Sequence, residues 1–246
     1  MSEADRASLS VDTVPCSARL AEIPPVFNEE GCIRQSIVDV VSTLPTLAPN
    51  IVVIAVSDGS TDTTADMLSD LIRLYGACVR VVHHERTRGY GDALRSGFTA
   101  ALGCEADLVR IMDADGQCDI GELQAFLPLL GRYDAIFGFR FARNDRRLRT
   151  VNATAWRWLV LALFGLRIRA GDFAFKLLAA LFLRSASLRA SRAVSSTLLL
   201  ARAGQNGLHY TEVGVRHYPR VTGTPSGARL FRHCACHQGA CAVETD

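Results

Sequence analysis

Lysine is almost absent from this sequence of 246 residues, since only one of its 27 basic side chains, Lys176, is a lysine. Long apolar runs are absent as well. The longest, Trp158–Leu166, is bounded by arginines and is far shorter than the roughly twenty residues that a membrane-spanning helix needs. Residues 1–20 lack the apolar core of a secretory signal. We therefore expect neither a membrane-spanning segment nor a secreted protein.

Regularly spaced cysteines are also missing. The eight cysteines are scattered through apolar and loop contexts, which favours a reducing, cytoplasmic setting. The densest group, CACHQGAC over residues 234–241, has a Cys-x-Cys-His spacing that fits no common structural zinc site. We therefore predict neither a disulfide framework nor a zinc centre.

Arginine is concentrated in one short stretch, although the net charge of the chain is only +2. Within ten residues the only acidic side chain is Asp145, and the arginines there are Arg140, Arg143, Arg146, Arg147 and Arg149. Such a cluster indicates a site for an anion. The alternative interpretation is a solvated basic face.

Apolar patterning predicts strands that alternate with helices. The predicted strands are residues 51–56, 79–84, 107–112 and 135–140, with a later one inside 211–220. The predicted helices cover residues 33–44, 65–75, 89–102 and 121–130, with Asn28 as a cap ahead of the first. This order indicates an α/β fold with a doubly wound, mostly parallel sheet. Beyond residue 150 the pattern becomes more helical and more apolar.

Acidic residues follow two of these strands, in SDGSTD (57–62) and DADGQ (113–117). Ligands of open α/β sheets bind at the carboxyl ends of the strands, so the carboxylates of Asp58, Asp113 and Asp115 are expected to share one crevice and a counter-ion. Two carboxylates and the amide oxygen of Gln117 suit Mg²⁺ or Mn²⁺ that takes its other ligands from water and substrate phosphates. The alternative is a solvated acidic turn.

Eight segments, in order, resemble the family 2 inverting glycosyltransferases of the GT-A fold, and most closely the polyprenyl-phosphate sugar transferases of the dolichyl-phosphate mannose synthase type. They are IPPVFNEE, SDGSTD, TRGYGDALRSGF, MDADGQCD, FGFRFARND, LFGLRIR, FAFK and EVGVRHYPR, between Ile23 and Arg220. The resemblance implies one GT-A domain over residues 21–225, with a nucleotide-sugar half (21–140) and a helical acceptor half that faces the membrane (141–225). We expect a flexible tail before it (1–20) and an atypical tail after it (226–246).

The resemblance also implies roles for individual residues. Nucleotide-sugar binding falls to Pro25, Asn28, Glu29, Asp58, Gly91, Asp113 and Asp115. Metal binding falls to Asp113, Asp115 and Gln117, and acceptor phosphate binding to Arg140, Arg143, Arg147, Arg149 and Lys176. The expected catalytic residues are Asp115, Arg140, Arg149 and Asp172.

The expected reaction moves a hexose from a nucleotide sugar of the GDP-mannose or UDP-glucose type to a polyprenyl phosphate, with inversion and with Mg²⁺ or Mn²⁺. The expected location is the cytoplasmic face of a membrane, without nucleic acid as a partner. Aromatic, leucine and arginine residues in 151–183 fit either an interfacial helix on that membrane or a packed core helix.

Three positions depart from the family's pattern, namely Ser57, Ala170 and Leu198, where the family usually has acidic residues. They support an alternative in which the protein is a degenerate member that binds nucleotide or a partner without catalysis. A second alternative is a transferase with a saccharide hydroxyl as acceptor, for which Asp172 is the candidate general base. A dinucleotide-dependent oxidoreductase is disfavoured, because GYGDALRSG lacks the Gly-x-Gly-x-x-Gly pattern of the first βα turn.

Overall fold

The structure is a computed structural model that describes residues 17–140, 173–185 and 207–218. In these residues eight strands form one sheet. The strands are β1 (Arg19–Ile23), β2 (Pro25–Val26), β3 (Asn50–Asp58), β4 (Val79–His84), β5 (Leu108–Ile111), β6 (Ala135–Arg140), β7 (Lys176–Ala179) and β8 (Tyr210–Val215).

The sheet is mostly parallel. Its order is β4, β3, β1, β5, β7, β6, β8, and the short β2 continues the line of β1 alongside β3, because both pair with β3 in the same register. Strand β7 runs antiparallel to both of its neighbours, β5 and β6. Strands from both predicted halves of the domain, 21–140 and 141–225, therefore belong to one sheet. Strand β7 of the later half lies between β5 and β6 of the earlier half.

Helices cover both faces of the sheet. The helices are α1 (Ile33–Thr43), α2 (Thr64–Tyr75), α3 (Tyr90–Gly103) and the short α4 (Ala180–Ser185). Apolar residues of α1 and α2 pack on one face and those of α3 on the other. Strand β3 shows the two-sided burial directly, since Val53 and Ala55 join the first layer while Ile54 and Val56 join the second. This arrangement confirms the predicted doubly wound, mostly parallel α/β fold.

Three local predictions were wrong. A loose tail to residue 20 overlaps β1, which begins at Arg19. Residues 121–130 form two short 3₁₀ turns, Ile120–Ala125 and Leu127–Leu129, and not an α-helix. Pro128 lies in the second turn, and its missing N–H and fixed φ oppose a continuous helix.

Asn28 does not cap α1 either, because the cap position is Cys32. Asn28 adopts φ 54°, and its side-chain oxygen accepts a hydrogen bond from the backbone N–H of Thr61 at 2.8 Å. Asn tolerates this left-handed conformation better than most residues. Asn28 therefore ties the loop after β2 to the loop after β3.

The described part of the predicted interfacial segment belongs to the core. Phe173, Phe175 and Phe182 are 6%, 0% and 0% exposed, and the chain between them forms β7 and the start of α4. Of the two interpretations of residues 151–183, core packing is correct for 173–183, and residues 151–172 lie outside the described part. Among the residues that the structure describes, no helix is both long enough and apolar enough to span a membrane.

Candidate active site at the carboxyl edge of the sheet

The sheet topology brings the predicted site residues to one edge. The parallel strands β1/β2, β3, β4, β5, β6 and β8 all end there. The antiparallel β7 begins there, because Lys176 pairs with Ile111 at the end of β5. Loops that are far apart in sequence therefore meet at this edge, which is where open α/β sheets bind ligands.

The loop after β5 carries the central carboxylates. Asp113 and Asp115 are partly buried, and Asp115 Oδ1 accepts a hydrogen bond from the backbone N–H of Gln117 at 3.1 Å. Ser36 on α1 donates its hydroxyl to the carbonyl of Ala114 at 2.7 Å, which fixes the backbone between the two aspartates. Burial, followed by the neighbouring charge of Asp115, raises the pKa of Asp113 from 3.8 to about 6. Because the two negative charges repel each other, binding of a cation between Asp113 and Asp115 would be favourable.

Two basic side chains lie beside this loop. The charges of Lys176 and Arg140 both lower the pKa of Asp113, against the larger effects of burial and Asp115. Lys176 is only 1% exposed and its ammonium donates to the carbonyl of Phe173 at 2.6 Å. The structure thus places Lys176 within the protein next to the aspartate loop, and its expected contact with an acceptor phosphate stays a prediction.

The same loop contains Cys118, which is partly buried. Burial, followed by the charges of Asp113 and Asp115, raises the pKa of its thiol to about 12. A thiol with this pKa is protonated at neutral pH, which does not favour a thiolate nucleophile at this position.

Asp58 differs from the other two aspartates because its carboxylate already has partners. Oδ1 accepts from His84 Nδ1 at 2.7 Å and from the backbone N–H of Arg88 at 2.9 Å, and Oδ2 accepts from the N–H of Gly89 at 2.8 Å. Strand β1 separates β3 from β5. The prediction that Asp58 is unpaired and shares a counter-ion with Asp113 and Asp115 was therefore wrong, while its contact with a nucleotide stays a prediction.

The turn that follows Asp58 presses on the loop that Asp58 holds. Gly59 adopts φ +69°, and a Cβ at this position would overlap the backbone of Arg86 and Thr87. Glycine is thus required both for its conformation and for the close approach. Together with the bonds of Asp58, this packing fixes residues 86–89 at the start of α3.

The remaining predicted nucleotide contacts surround the same edge. Pro25 lies on β2 opposite Val56, and Gly91 lies in the first turn of α3. Glu29 accepts a hydrogen bond from the thiol of Cys32 at 3.1 Å, and its charge raises the pKa of Asp113. Glu29 therefore faces the aspartate loop. Four further predicted residues, Arg143, Arg147, Arg149 and Asp172, lie outside the described residues.

Sequence reasoning missed a buried ion pair beneath the aspartate loop. Glu22 on β1 and Arg110 on β5 are paired in register, are 0% exposed and form a hydrogen-bonded ion pair. Burial raises the pKa of Glu22, and the charge of Arg110 opposes that rise. The guanidinium also lies over the ring of Phe175 at 5.4 Å. Hydrophobic patterning could not predict this pair, because the two charged residues lie in separate strands that are 88 positions apart in the sequence.

The metal-binding capacity of the loop can be judged from its donor atoms. In residues 17–140, 173–185 and 207–218, no three His, Cys, Asp or Glu side chains group together to hold a metal. Asp113 and Asp115 supply two carboxylates and Gln117 an amide oxygen, which suits a hard divalent ion that completes its shell with phosphate and water. The residues fit an ion that binds together with a diphosphate.

A doubly wound sheet whose carboxyl edge joins a paired-aspartate loop to basic side chains is consistent with a GT-A type glycosyltransferase. The sequence profile described as Glycosyl transferase family 2 matches residues 23–189. The chain belongs to this family.

Curated relatives are similar over part of the chain. An undecaprenyl-phosphate 4-deoxy-4-formamido-L-arabinose transferase from Serratia proteamaculans is 30% identical over 53% of this chain and 40% of its own length. A dodecaprenyl-phosphate galacturonate synthase from Rhizobium johnstonii is 27% identical over 62% and 45%. A polyprenol monophosphomannose synthase from Mycolicibacterium smegmatis is 29% identical over 61% and 54%. The chain thus spans about half the length of the relatives it matches.

Solved structures share the fold at low sequence identity. Glucosyl-3-phosphoglycerate synthase from Mycobacterium tuberculosis, in complex with Mn²⁺ and UDP-glucose, has a TM-score of 0.59 and 18% identity, over 100% of this chain and 85% of that one. A mannosyltransferase from Pyrobaculum calidifontis, in complex with GDP-mannose and Mn²⁺, has a TM-score of 0.58 and 16% identity, over 94% and 66%. These likenesses confirm the predicted GT-A fold.

Proposed function

We propose that the protein transfers a hexose from a nucleoside diphosphate sugar to a polyprenyl phosphate, with inversion, at the cytoplasmic face of a membrane. The observation that carries this proposal is the pair of carboxylates, Asp113 and Asp115, at the carboxyl edge of the sheet with Arg140 and Lys176 beside them. Support for the acceptor comes from the three relatives, each of which is named for a polyprenyl phosphate or a polyprenol monophosphate sugar.

Asp113, Asp115 and Gln117 would hold Mg²⁺ or Mn²⁺ together with the donor diphosphate. Such an ion stabilises the negative charge that builds on the departing nucleoside diphosphate. Arg140 and Lys176 add fixed positive charge next to the same loop. Because the site is partly buried, each of these charges interacts more strongly with a phosphate than it would in bulk water.

The chemistry of the acceptor fits the described residues. The phosphate of a polyprenyl phosphate is already an anionic nucleophile at neutral pH, so the protein has to position it but not to deprotonate it. A saccharide hydroxyl would require a general base, and the residue predicted for that role, Asp172, lies outside the described part. An acceptor that is already ionised fits the basic side chains at this edge, and Arg140, with its guanidinium over the ring of Phe173 at 5.4 Å, would be the positioning cation.

The first experiment separates donor binding from transfer. GDP-mannose, UDP-glucose and related nucleotide sugars are tested with Mg²⁺, Mn²⁺ or EDTA by thermal shift, since a ligand of the native state raises its stability. We expect stabilisation by at least one donor, and only with metal. The donor that binds is then incubated with a polyprenyl phosphate, with the unphosphorylated polyprenol as the matched control.

We expect a lipid-linked sugar from the phosphate alone. Sugar transfer to a saccharide, with none to lipid phosphate, would contradict the proposed acceptor. Metal-dependent donor binding without transfer to any acceptor would favour the non-catalytic alternative. That alternative is motivated by Ser57, which is 2% exposed and lies against the hydroxyl of Ser60 where the family usually has an acidic residue.

A further inference from the structure

A pair of hydrogen bonds joins the aspartate loop to the chain that follows β8. The backbone N–H of Tyr218 donates to the carbonyl of Gln117 at 2.9 Å, and Gln117 Nε2 donates to the carbonyl of Tyr218 at 3.0 Å. The two residues are 101 positions apart in the sequence. We call this reciprocal pair the Gln117 clasp. It fixes the direction of the chain where β8 ends, at the same edge of the sheet as Asp113 and Asp115.

The residue before Tyr218 is thereby placed next to the predicted acceptor side. The ring of His217 makes an edge contact with the ring of Phe173, with centroids 5.7 Å apart and planes at 64°. The guanidinium of Arg140 lies over the same phenylalanine at 5.4 Å. Phe173 is 6% exposed, so both contacts are made to a ring that is held in the core.

Strand pairing supports the same neighbourhood. Arg140 at the end of β6 is in register with Val215 at the end of β8, and His217 follows two residues later. An imidazole and a guanidinium are thus carried by the ends of two adjacent parallel strands and packed against one aromatic ring. Both groups donate N–H hydrogen bonds, and N–H donors with positive charge beside them are what a phosphate monoester requires.

We propose that Gln117 is a positioning residue which, through the clasp, holds His217 beside Arg140 as a hydrogen-bond donor to the phosphate of the acceptor. This inference rests on the proposed function and adds residues to its acceptor side. The side chain of Gln117 has one polar atom for each role. Its Nε2 donates the hydrogen bond of the clasp, and its Oε1 is the atom that can bind a metal ion on the donor side. Binding of the donor and order at His217 are then coupled through one side chain.

Gln117→Glu separates the two roles. Glutamate keeps an oxygen for a metal ion, but its ionised carboxylate has no N–H to donate and would face the carbonyl of Tyr218. We expect the KM for polyprenyl phosphate to rise about tenfold, which is a larger factor than the change in the dissociation constant for donor with Mn²⁺ measured by calorimetry. Gln124→Glu makes the same chemical change at an exposed position in the following 3₁₀ turn and is expected to alter neither value.

His217→Phe tests the residue that the clasp positions. Phenylalanine keeps a ring against Phe173 but removes the N–H donors, so the acceptor KM is expected to rise about tenfold with donor affinity unchanged. Because both variants act on the same group, the double variant is expected to be no worse than His217→Phe alone. Melting temperatures within a few degrees of wild type show that each variant is folded.

An activity-independent measurement completes the test. Amide hydrogen exchange in residues 213–218 is expected to be faster in Gln117→Glu and unchanged in Gln124→Glu. A wild-type acceptor KM in His217→Phe, or an equal loss of donor and acceptor binding in Gln117→Glu, would overturn the inference. If wild type transferred no sugar to any phosphate acceptor, the proposed function would fail with the role of His217, whereas the exchange and calorimetry results would still report on the clasp.

Discussion

Two aspartates at the same edge of the sheet, Asp58 and Asp113, have opposite surroundings. Both oxygens of Asp58 accept hydrogen bonds, from one imidazole and two backbone N–H groups. Neither oxygen of Asp113 accepts one from a described residue, and burial together with Asp115 raises its pKa to about 6. One carboxylate completes the fold, while the other is held at a cost that a cation would relieve. The position of a carboxylate at a strand end therefore does not decide whether it serves the fold or a ligand, and the hydrogen bonds that it accepts have to be compared.

The largest effect is expected at the partner of Asp113. Asp115→Ala removes one of the two carboxylates and should lower metal-dependent turnover about a thousandfold or more, in line with the loss of one fixed group that stabilises transition-state charge. Its melting temperature without metal should change little, because relief of the repulsion from Asp113 offsets the loss of the hydrogen bond from the backbone N–H of Gln117. Initial rates and thermal melting check both statements. Asp66→Ala, at an exposed position on α2, is the control, and an equal loss of rate there would contradict the assignment.

The same substitution at both aspartates tests the comparison directly. Asp58→Asn places an amide N–H against groups that themselves donate, so the free energy of unfolding should fall by about 2 kcal/mol. Asp113→Asn removes an ionised group that has lost solvation and should raise the free energy of unfolding by about 1 kcal/mol at pH 8, a value that allows for solvent screening. Urea unfolding in EDTA measures both. Equal destabilisation by the two substitutions would contradict the distinction between them.

The raised pKa of Asp113 also predicts a dependence on pH. Because its folded pKa, about 6, lies above the value of 3.8, the folded state binds this proton more tightly than the unfolded state. The cost of the ionised group is present above about pH 6 and is lost as the pH falls toward 4. A metal ion needs the ionised form, so stabilisation by Mn²⁺ with nucleotide should decline as the pH falls through 6.

Thermal shifts between pH 5 and pH 8, with and without Mn²⁺, measure this decline. In Asp113→Asn the shift should be small at every pH, because the titrating ligand is gone. A wild-type shift that remains constant down to pH 5 would show that Asp113 does not bind the metal.

The smallest effect on metal binding is expected for Ser36, which holds the backbone of the aspartate loop from α1. Ser36→Ala removes the hydrogen bond to the carbonyl of Ala114 and should weaken binding of Mn²⁺ with nucleotide about threefold, with a loss of roughly 1 kcal/mol in unfolding free energy. Ser42→Ala is the matched control, since the hydroxyl of Ser42 bonds within its own helix to the carbonyl of Val38 at 2.8 Å. A change in metal affinity in the control but not in Ser36→Ala would contradict the role of Ser36.

The central strands and the aspartate loop could be predicted from the sequence because their signals are local. Residues 51–56 are an almost continuous β-branched run, residues 79–84 contain three valines, and DADGQ follows a buried strand directly. Strand β1 gave no such signal, because its short sequence contains the buried Glu22, whose partner Arg110 lies 88 positions away. The 3₁₀ turns at 120–129 carry helical spacing, but Pro128 stops the helix.

Contacts between distant segments could not be predicted. Nothing local shows that the carboxylate of Asp58 meets His84, or that β7 enters the sheet between β5 and β6. The family resemblance implied that the single lysine, Lys176, binds acceptor phosphate. Its burial next to Asp113 follows from the antiparallel pairing of β7 with β5, which the apolar sequence of residues 173–179 does not specify.

The insertion of β7 has a consequence for how the chain is synthesised. Strands β5 and β6 leave the ribosome well before residues 176–179, yet in the described residues these two strands are joined through β7. Until that segment emerges, a nascent chain presents two open sheet edges, and unpaired edges invite aggregation. A fragment that ends after Arg140 should therefore precipitate on expression, and the nucleotide half should require the later half in the same polypeptide to fold.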